Sequence, residues 1–172
     1  GGIQVSASHN PKEYNGFKMT RANSVPIGES TGIATIKDNV VNQNFNPTSQ
    51  GTLNEIQNNT QHNFAYFLKD FNSTSIKPFK IVVDAANSMG ILDVTEFFKF
   101  FPQVQLIKLN FELDGSFPAH EADPLKDETL AQAKQAVIDN NADMAIIPDG
   151  DADRYFFIDE TGQTIRQEII RG

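Results

Sequence analysis

The sequence predicts an α/β protein, with two consecutive three-layer α/β/α units built on mainly parallel mixed sheets, the first of them incomplete. The first observation behind this prediction is an alternation over residues 80–148, where short apolar runs exchange with longer amphipathic runs. Such an alternation is typical of parallel strands joined by right-handed helical crossovers. The second observation is a pair of polar tracts, near residues 8 and 150, that each follow a predicted strand. Loops at strand ends are where α/β proteins place their functional sites.

The first unit is predicted to begin with the end of a strand at 1–5. The dipeptide Asn15-Gly16 is a strong hairpin signal, so we expect the chain to turn there. A helix is predicted across 32–41, followed by an Asn- and Gln-rich stretch of loop and weak helix over 42–63. An amphipathic run at 64–71 then predicts a helix that connects the two units.

A linker at 72–77 separates the units, and we therefore place the domains at 1–72 and 73–172. The second unit is predicted to have a regular order of strands and helices, because short apolar runs alternate in it with longer amphipathic runs. Its expected strands and helices are β 80–84, α 91–101, β 104–109, α 128–140 and β 143–148, with an edge hairpin at 154–159 and 163–165.

Composition limits the class of protein. The chain has 172 residues, enough for one sizeable core or two small ones, and a formal net charge of −8, which argues against nucleic acid as a partner. It has no cysteine, and hence no disulfide framework, and no apolar run long enough to span a bilayer. Because no signal peptide is visible either, we expect a cytoplasmic protein with no membrane partner.

The most informative tract is Pro148-Asp149-Gly150-Asp151-Ala152-Asp153-Arg154. Three carboxylates so close together repel one another unless a positive charge lies among them. A hard divalent cation with oxygen ligands, Mg²⁺ or Ca²⁺, is the natural partner. An acidic surface loop is the ordinary alternative, but the apolar runs 145–147 and 155–158 on either side favour a metal site at the end of a buried strand.

An EF-hand is the rival interpretation of the same tract. Counted from Asp149, acidic residues fill positions 1, 3, 5 and 12 of such a loop, the last of them Glu160. The sixth position should be glycine but is Arg154, and the flanking runs predict strands rather than helices. A non-catalytic Ca²⁺-binding module nevertheless stays as the alternative, with Glu160 as its distinguishing ligand.

A second polar tract lies near the start, Ser6-Ala7-Ser8-His9-Asn10-Pro11, and Lys18 follows it. Asn10-Pro11 predicts a turn, so Ser8 and His9 should lie on an irregular loop while Lys18 returns on the next strand. A hydroxyl beside an imidazole and an ammonium suits a nucleophile or phosphate carrier with an acid/base helper. Taken alone, the tract also fits an ordinary turn, because serine and asparagine are common turn residues.

Taken together, the two tracts resemble the α-D-phosphohexomutase superfamily, and most closely its phosphomannomutase/phosphoglucomutase branch. Two further stretches match in the same order. Residues 83–90, Val-Asp-Ala-Ala-Asn-Ser-Met-Gly, resemble the family's Asp-x-x-x-Gly-x-Gly form, with Ser88 in place of a glycine. Residues 113–125 resemble its Asp-Gly-x-Phe-Pro…His…Pro-x-Pro-Leu segment, with Ala122 in place of a proline.

The resemblance implies a role for each matching residue. Ser8 matches the serine that carries the phosphate, and Lys18 matches the proposed general acid/base. His9 matches a histidine that lines the same pocket, and Arg154 matches the arginine that approaches the phosphate. The ligands implied for Mg²⁺ are Ser8, through its phosphate, and the carboxylates of Asp149, Asp151 and Asp153.

The activity that the resemblance implies is that of a phosphohexomutase, an intramolecular phosphotransferase. It moves phosphate between the 1- and 6-positions of a hexose phosphate, through a phosphoserine and a hexose bisphosphate. Residues 1–72 would be the C-terminal part of the family's domain I, and residues 73–172 its domain II. The family's domains III and IV, which read the sugar and hold the far phosphate, would lie outside these residues. We therefore expect the chain alone to be inactive as a mutase; a sugar-phosphate-binding module without turnover is the alternative.

Overall fold

A computed structural model describes residues 1–46 and 50–171 of the chain. These residues form two compact units. The first unit comprises Gly1–Ser6 and Asn15–Gln57, and the second comprises Ala7–Tyr14 and Asn58–Gly172. The segment that bears Ser8 and His9 thus belongs to the same compact unit as the aspartate tract. The predicted domain boundary between residues 72 and 73 concerns the family's domains and stays a prediction.

Among its described residues, the first unit contains an antiparallel hairpin and one α-helix. Strand β1, Gly2–Val5, pairs with β2, Phe17–Thr20, so that Val5 lies opposite Phe17. The expected turn at Asn15-Gly16 is therefore wrong, because residues 6–16 together connect the strands and neither Asn15 nor Gly16 has the positive φ that a two-residue turn needs. Helix α1, Ile33–Val41, lies where a helix was expected.

The second unit is built on a mixed five-stranded sheet. Its strands are β3 Lys80–Asp84, β4 Gln105–Leu109, β5 Met144–Pro148, β6 Tyr155–Asp159 and β7 Thr164–Ile165, in the spatial order β4-β3-β5-β6-β7. The pairs of β3 with β4 and with β5 are parallel, whereas β6 runs antiparallel to both β5 and β7. The mixed α/β fold that the sequence predicts is thus confirmed, with its predicted edge hairpin.

Helices cover both faces of this sheet because its strands carry apolar side chains on both sides. The unit's helices are α2 Asn59–Leu68, α3 Gly90–Phe98, α4 Ala131–Asn140 and α5 Gln167–Arg171. Val94 of α3 packs with Ile81 and Val83 on one face, and Val137 of α4 packs with Val82 and Ile158 on the other. The result is a three-layer α/β/α arrangement.

Helix α2 packs on α3 through aromatic rings. The rings of Phe64 and Phe97 meet edge to face with centroids 5.6 Å apart, and those of Phe71 and Phe101 do so at 5.8 Å. Phe64 and Phe71 therefore make packing contacts of the kind that edge-to-face pairs commonly form, whereas Tyr66 and Phe67 are exposed.

The parallel pairing of β3 with β5 decides where polar side chains collect. Since parallel strands end at the same edge of a sheet, Asp84 at the end of β3 and Asp149 after the end of β5 lie on one edge. Both side chains are fully buried. Across the described part of the chain, no helix has the length and apolar character needed to cross a membrane.

Candidate functional site

Residues 7–14, here called the serine loop, fold into two successive turns. The backbone N–H of Asn10 donates to the carbonyl of Ala7 at 3.1 Å, and that of Tyr14 donates to the carbonyl of Pro11 at 2.9 Å. The side-chain amide of Asn10 adds a second bond to Ala7. Ser8 has a φ of 56°, in the left-handed region that non-glycine residues rarely adopt. Strain of this kind persists only where the surroundings fix it, and it is common at functional sites.

Residues 149–154, here called the aspartate loop, connect β5 to β6. The N–H of Asp149 donates to the carbonyl of Arg154 at 3.0 Å, and the N–H of Ala152 donates to the carbonyl of Asp149 at 3.0 Å. Ala152 takes a left-handed φ of 59° within this tight turn. The turn makes the carboxylates converge, with one oxygen from each of Asp149, Asp151 and Asp153 within 4.8 Å of the others.

Arg154 links the buried carboxylate to the serine loop. Its Nε and Nη2 donate to Oδ2 of Asp149 at 2.8 and 2.6 Å, and its backbone N–H donates to Oδ1 at 3.2 Å. The same Nη2 lies 3.4 Å from Oγ of Ser8 and contacts Nδ1 of His9. Because a guanidinium only donates, Nδ1 of His9 accepts here and the ring proton lies on Nε2. That Nδ1 is 3.3 Å from Oγ of Ser8.

Gly150 allows the two loops to approach each other. A methyl group at this position would overlap the carbonyl oxygen of Ser8 and lie 3.5 Å from Cα of His9. In the sequence, Gly150 is one of two small residues that separate the three aspartates. In the structure it is the point at which the backbone of the serine loop contacts the aspartate loop.

The three carboxylates suit a hard divalent cation. Asp149 is buried, Asp151 is half-buried with its Oδ1 shielded from solvent, and Asp153 is exposed. Arg154 provides one positive charge, with Nε also 3.6 Å from Asp153, so a negative excess is left among the three oxygens. Oxygen donors with such an excess are the ligands that Mg²⁺ and Ca²⁺ prefer. The residues present therefore fit a divalent metal ion.

The EF-hand interpretation does not fit this geometry. The aspartate loop lies between strands β5 and β6, whereas an EF-hand loop lies between helices. Pro148 pairs with Tyr155 at the start of β6, and Met144 pairs with Asp159 at its end. Asp159 is roughly 13 Å from Tyr155 at 3.3 Å per strand residue, and Glu160, which follows it, therefore lies beyond the opposite end of the strand pair.

The sequence did not predict that residues 88–90 would support the aspartate loop from behind. Oγ of Ser88 lies 3.5 Å from the carbonyl of Asp149, and the N–H of Met89 donates to the carbonyl of Gly150 at 3.3 Å. A methyl group at Gly90 would lie 2.5 Å from Cγ of Pro148. The Asp-x-x-x-Ser-x-Gly spacing of residues 84–90 was the available signal.

Tyr155 adds a neutral phenol beside these charges. Burial, and with it the negative charges of Asp93 and Asp149, raises the pKa of Tyr155 to about 12. The phenol therefore stays protonated at every ordinary pH. The sequence identified Tyr155 only as a strand residue.

The structure thus brings six of the predicted site residues together in the second unit, whereas Lys18 lies on β2 of the first unit, where its side chain is exposed. Those six residues are Ser8, His9, Asp149, Asp151, Asp153 and Arg154. The roles assigned to all seven stay predictions.

Comparison with known proteins identifies the family. The sequence profile described as phosphoglucomutase/phosphomannomutase alpha/beta/alpha domain II matches residues 61–162, and that of domain I matches residues 1–47. A phosphomannomutase from Escherichia coli is 36% identical over 182 residues, and one from Vibrio cholerae is 34% identical over 177. Each alignment covers 100% of this chain. The chain in turn spans 39% of the length of the first relative and 38% of the length of the second.

A solved structure agrees with these matches. A phosphoglucomutase/phosphomannomutase family protein from Burkholderia thailandensis superposes with a TM-score of 0.81 at 31% identity. The superposition covers 95% of this chain and 34% of that protein. Because the domain II profile alone covers more than half of the chain, the chain belongs to the phosphoglucomutase/phosphomannomutase family.

Proposed function

We propose that this chain carries the phosphoryl-transfer centre of a phosphohexomutase of the phosphomannomutase/phosphoglucomutase type, with Ser8 as the phosphate carrier. The observation that carries the proposal is the position of Arg154, whose Nη2 lies 3.4 Å from Oγ of Ser8 while Asp149 fixes its guanidinium. An anchored guanidinium beside a hydroxyl is well placed to bind a phosphate there by charge-assisted hydrogen bonds. The names of the relatives from E. coli and V. cholerae support the type of reaction.

The proposed reaction moves phosphate between the 1- and 6-positions of a hexose. Phosphoserine gives its phosphoryl group to the free hydroxyl of a hexose monophosphate, and a base takes the proton of that hydroxyl. The resulting hexose bisphosphate reorients, and Oγ of Ser8 takes the other phosphoryl group while an acid returns the proton to the sugar oxygen. Lys18 is the proposed general acid/base, by resemblance to the family. His9, with Nδ1 at 3.3 Å from Oγ, lines the same pocket.

Such a reaction depends on alignment and on charge. Phosphoryl transfer leaves a protein little covalent work, so catalysis consists mostly of positioning and of neutralising charge on the equatorial oxygens. Three carboxylates would repel an incoming phosphate, and Arg154 balances the charge of only one. Asp149, Asp151 and Asp153, with an oxygen of the Ser8 phosphate, are the proposed ligands of Mg²⁺. Mg²⁺, when bound, would supply the missing positive charge.

The domain assignment extends this proposal. Residues 1–72 would be the C-terminal part of the family's domain I, and residues 73–172 its domain II. A hexose phosphate aligns its attacking oxygen only if its hydroxyls and far phosphate are held, and orientation supplies much of the rate. We therefore expect this chain alone to accept phosphate on Ser8 without interconverting hexose 1- and 6-phosphates.

Mass spectrometry tests the proposal. The chain is incubated with Mg²⁺ and excess hexose 1,6-bisphosphate, and the phosphorylated residue is located by peptide mapping. We expect phosphate on Ser8, no phosphate in Ser8→Ala, ordinary uptake in the matched control Ser6→Ala, and slower uptake in Asp151→Asn. Phosphate found elsewhere, or none at all in a chain that binds the cation, would remove Ser8 as the carrier and leave a binding module without turnover.

The identity of the cation is tested separately. Isothermal titration with Mg²⁺ should show weaker binding in Asp151→Asn than in wild type, because one carboxylate ligand is lost. Glu160→Gln is the matched control and should bind as wild type does, since Glu160 lies at the far end of the strand pair. A large loss of Ca²⁺ affinity in Glu160→Gln would instead restore the EF-hand interpretation.

A further inference from the structure

A second buried carboxylate lies on the same edge of the sheet as the aspartate loop. Asp84 ends β3, and its side chain is fully buried. Its Oδ1 accepts from the N–H of Ala86 at 3.1 Å and from Nδ2 of Asn110 at 2.8 Å, while its Oδ2 lies 3.0 Å from Nε2 of His120. This carboxylate has no part in the proposed metal site, yet both of its oxygens have hydrogen-bond partners.

The ring of His120 lies between two acceptors. Nε2 contacts the carboxylate of Asp84, and Nδ1 lies 2.9 Å from the carbonyl oxygen of Glu121. Both contacts are satisfied at once only if both ring nitrogens carry a proton, which makes the ring an imidazolium. The hydrogen bond to Asp84 raises the pKa of His120 above its ordinary value of 6.5; burial acts against this, while the Glu121 carbonyl and the charge of Asp84 support it.

Other charges near His120 are engaged elsewhere. The side chain of Glu121 forms an ion pair with Lys126, so it is the backbone of Glu121 that meets the ring. Asp123 accepts the N–H of Leu125 on its Oδ1. Asp84 is therefore the charged group that faces the imidazole, and the two form a buried pair in which the histidine side chain is 14% exposed.

A continuous path of contacts leads from Asp84 to the aspartate loop. Asp84 accepts a hydrogen bond from the N–H of Ala86. Ala86 and the next residue, Asn87, both have a left-handed φ, of 46° and 57°. The next two residues contact the aspartate loop: Ser88 through Oγ, which also donates to the carbonyl of Ala85 at 2.7 Å, and Met89 through its N–H. Residues 85–89, here called the supporting turn, thus connect the buried pair to the backbone that carries the metal-binding carboxylates.

We propose that His120 is a positioning residue of the metal site: its hydrogen-bonded pair with Asp84 holds the supporting turn, and that turn holds the backbone of Asp149 and Gly150. The inference rests on the proposed function, because it assumes that the aspartate loop binds a divalent cation. The neutral ring has a single N–H, so when the ring loses a proton a nitrogen lone pair must face either the Asp84 carboxylate or the Glu121 carbonyl. The contact then becomes repulsive, the supporting turn loosens, and the aspartate loop loses its fixed position.

The first test measures binding of Mn²⁺ by water proton relaxation in wild type and variants. Mutations along such a path change coupling by amounts that correspond to roughly two- to thirtyfold in affinity, so we expect His120→Ala to bind Mn²⁺ weaker by a factor in that range. In His120→Gln, whose amide donates but does not titrate, affinity should not fall as pH rises above 6.5, whereas wild type should lose affinity. His62→Gln, a substitution at an exposed histidine of α2, is the matched control and should behave as wild type.

The second test needs no metal. Amide chemical shifts of Ser88, Met89 and Gly150 should follow the titration of the His120 ring in wild type and in His62→Gln, and should lose that transition in His120→Gln. Amide shifts that ignore the His120 titration would overturn the inference, even if the variants fail to fold, because wild type alone decides this point. Equal Mn²⁺ affinity in folded His120→Ala and wild type would overturn it as well.

The two tests separate this inference from the proposed function. If wild type does not bind Mn²⁺, or if Asp151→Asn binds it equally well, the proposed metal site fails. The shifts of Ser88, Met89 and Gly150 still report whether His120 controls the backbone of the aspartate loop.

Discussion

Two carboxylates at neighbouring strand ends are equally buried but differ in their partners. Asp149 follows β5 and pairs with Arg154, a guanidinium that stays charged at any pH at which a protein folds. Asp84 ends β3 and pairs with His120, which can lose its proton near neutral pH. The aspartate loop is therefore anchored by a permanent charge, whereas the turn behind it is anchored by a titratable one.

The comparison also shows what separates a binding site from its support. Around Asp149, two more carboxylates converge, and the negative charge exceeds what Arg154 supplies. Around Asp84, by contrast, the carboxylate meets the N–H of Ala86, Nδ2 of Asn110 and Nε2 of His120. Burial alone thus does not identify a site, since both side chains are fully buried. The excess of charge that faces the serine loop distinguishes the Asp149 side.

The largest effect on stability is expected from Asp84→Asn. The substitution keeps the size of the side chain but removes the charge that pairs with His120. Breaking a buried charge pair in this way should lower the free energy of unfolding by about 3 kcal/mol. Urea denaturation measures the change, with Asp70→Asn, at an exposed position, expected within about 0.5 kcal/mol of wild type.

The next effect is expected on the other side of the comparison, from Gly150→Ala. The new methyl group overlaps the carbonyl of Ser8, so the serine loop must move away from the aspartate loop. Overpacking of this kind costs about 1–3 kcal/mol, and phosphate uptake by Ser8 should fall with it. Gly115→Ala is the matched control, because a methyl group there has nothing within 4 Å. Unchanged amide shifts at Ser8 and His9 in Gly150→Ala would show that the two loops are not in contact.

A smaller effect, which separates the two pairs by pH, is expected in the free energy of unfolding. Because the folded pKa of His120 lies above its ordinary value of 6.5, the pair with Asp84 contributes its full stability below pH 6.5. That contribution should be lost as pH rises through the raised pKa. His120→Gln should flatten this part of the stability profile, while His62→Gln should leave it unchanged. A wild-type profile that rises with pH in this window would reverse the sign and contradict the pairing.

The sequence predicted regular elements better than it predicted contacts. The run 80–84 was placed to the residue, because a β-branched apolar stretch between polar residues has few other conformations. The helix predicted over 128–140 begins as a 3-10 turn, Asp127–Leu130, which precedes α4. Helix α3 ends at Phe98 rather than at residue 101. Both ends were missed because the periodicity of apolar residues does not encode the local hydrogen bonding at helix ends. The turn at Asn15-Gly16 failed because bonds within the longer connection outweigh a dipeptide preference.

The aspartate loop could be predicted from local sequence, whereas the Asp84–His120 pair that supports it could not. The alternation of carboxylates with small residues at 149–153 predicted, from local sequence alone, that the three carboxylates lie close together. The pair of Asp84 with His120 joins residues separated by 36 positions, and neither residue carries a local signal of the other. Such long-range polar pairs follow from the packing of β3 against the segment after β4, which only the folded chain shows.

The smallest effect is expected from Ser88→Ala, which tests the last link between the two carboxylates. The substitution removes the Oγ hydrogen bond to Ala85 at 2.7 Å and the longer contact with Asp149 at 3.5 Å, while the backbone bond from Met89 to Gly150 stays. Loss of one such bond should cost about 1 kcal/mol in the free energy of unfolding. Ser88→Gly, which introduces the residue usual in the family's pattern, should cost slightly more, because glycine also loses more backbone entropy on folding. If urea denaturation finds Ser88→Ala as stable as wild type while Mn²⁺ affinity is unchanged, the hydroxyl contributes nothing to the link, and the supporting turn acts through its backbone alone.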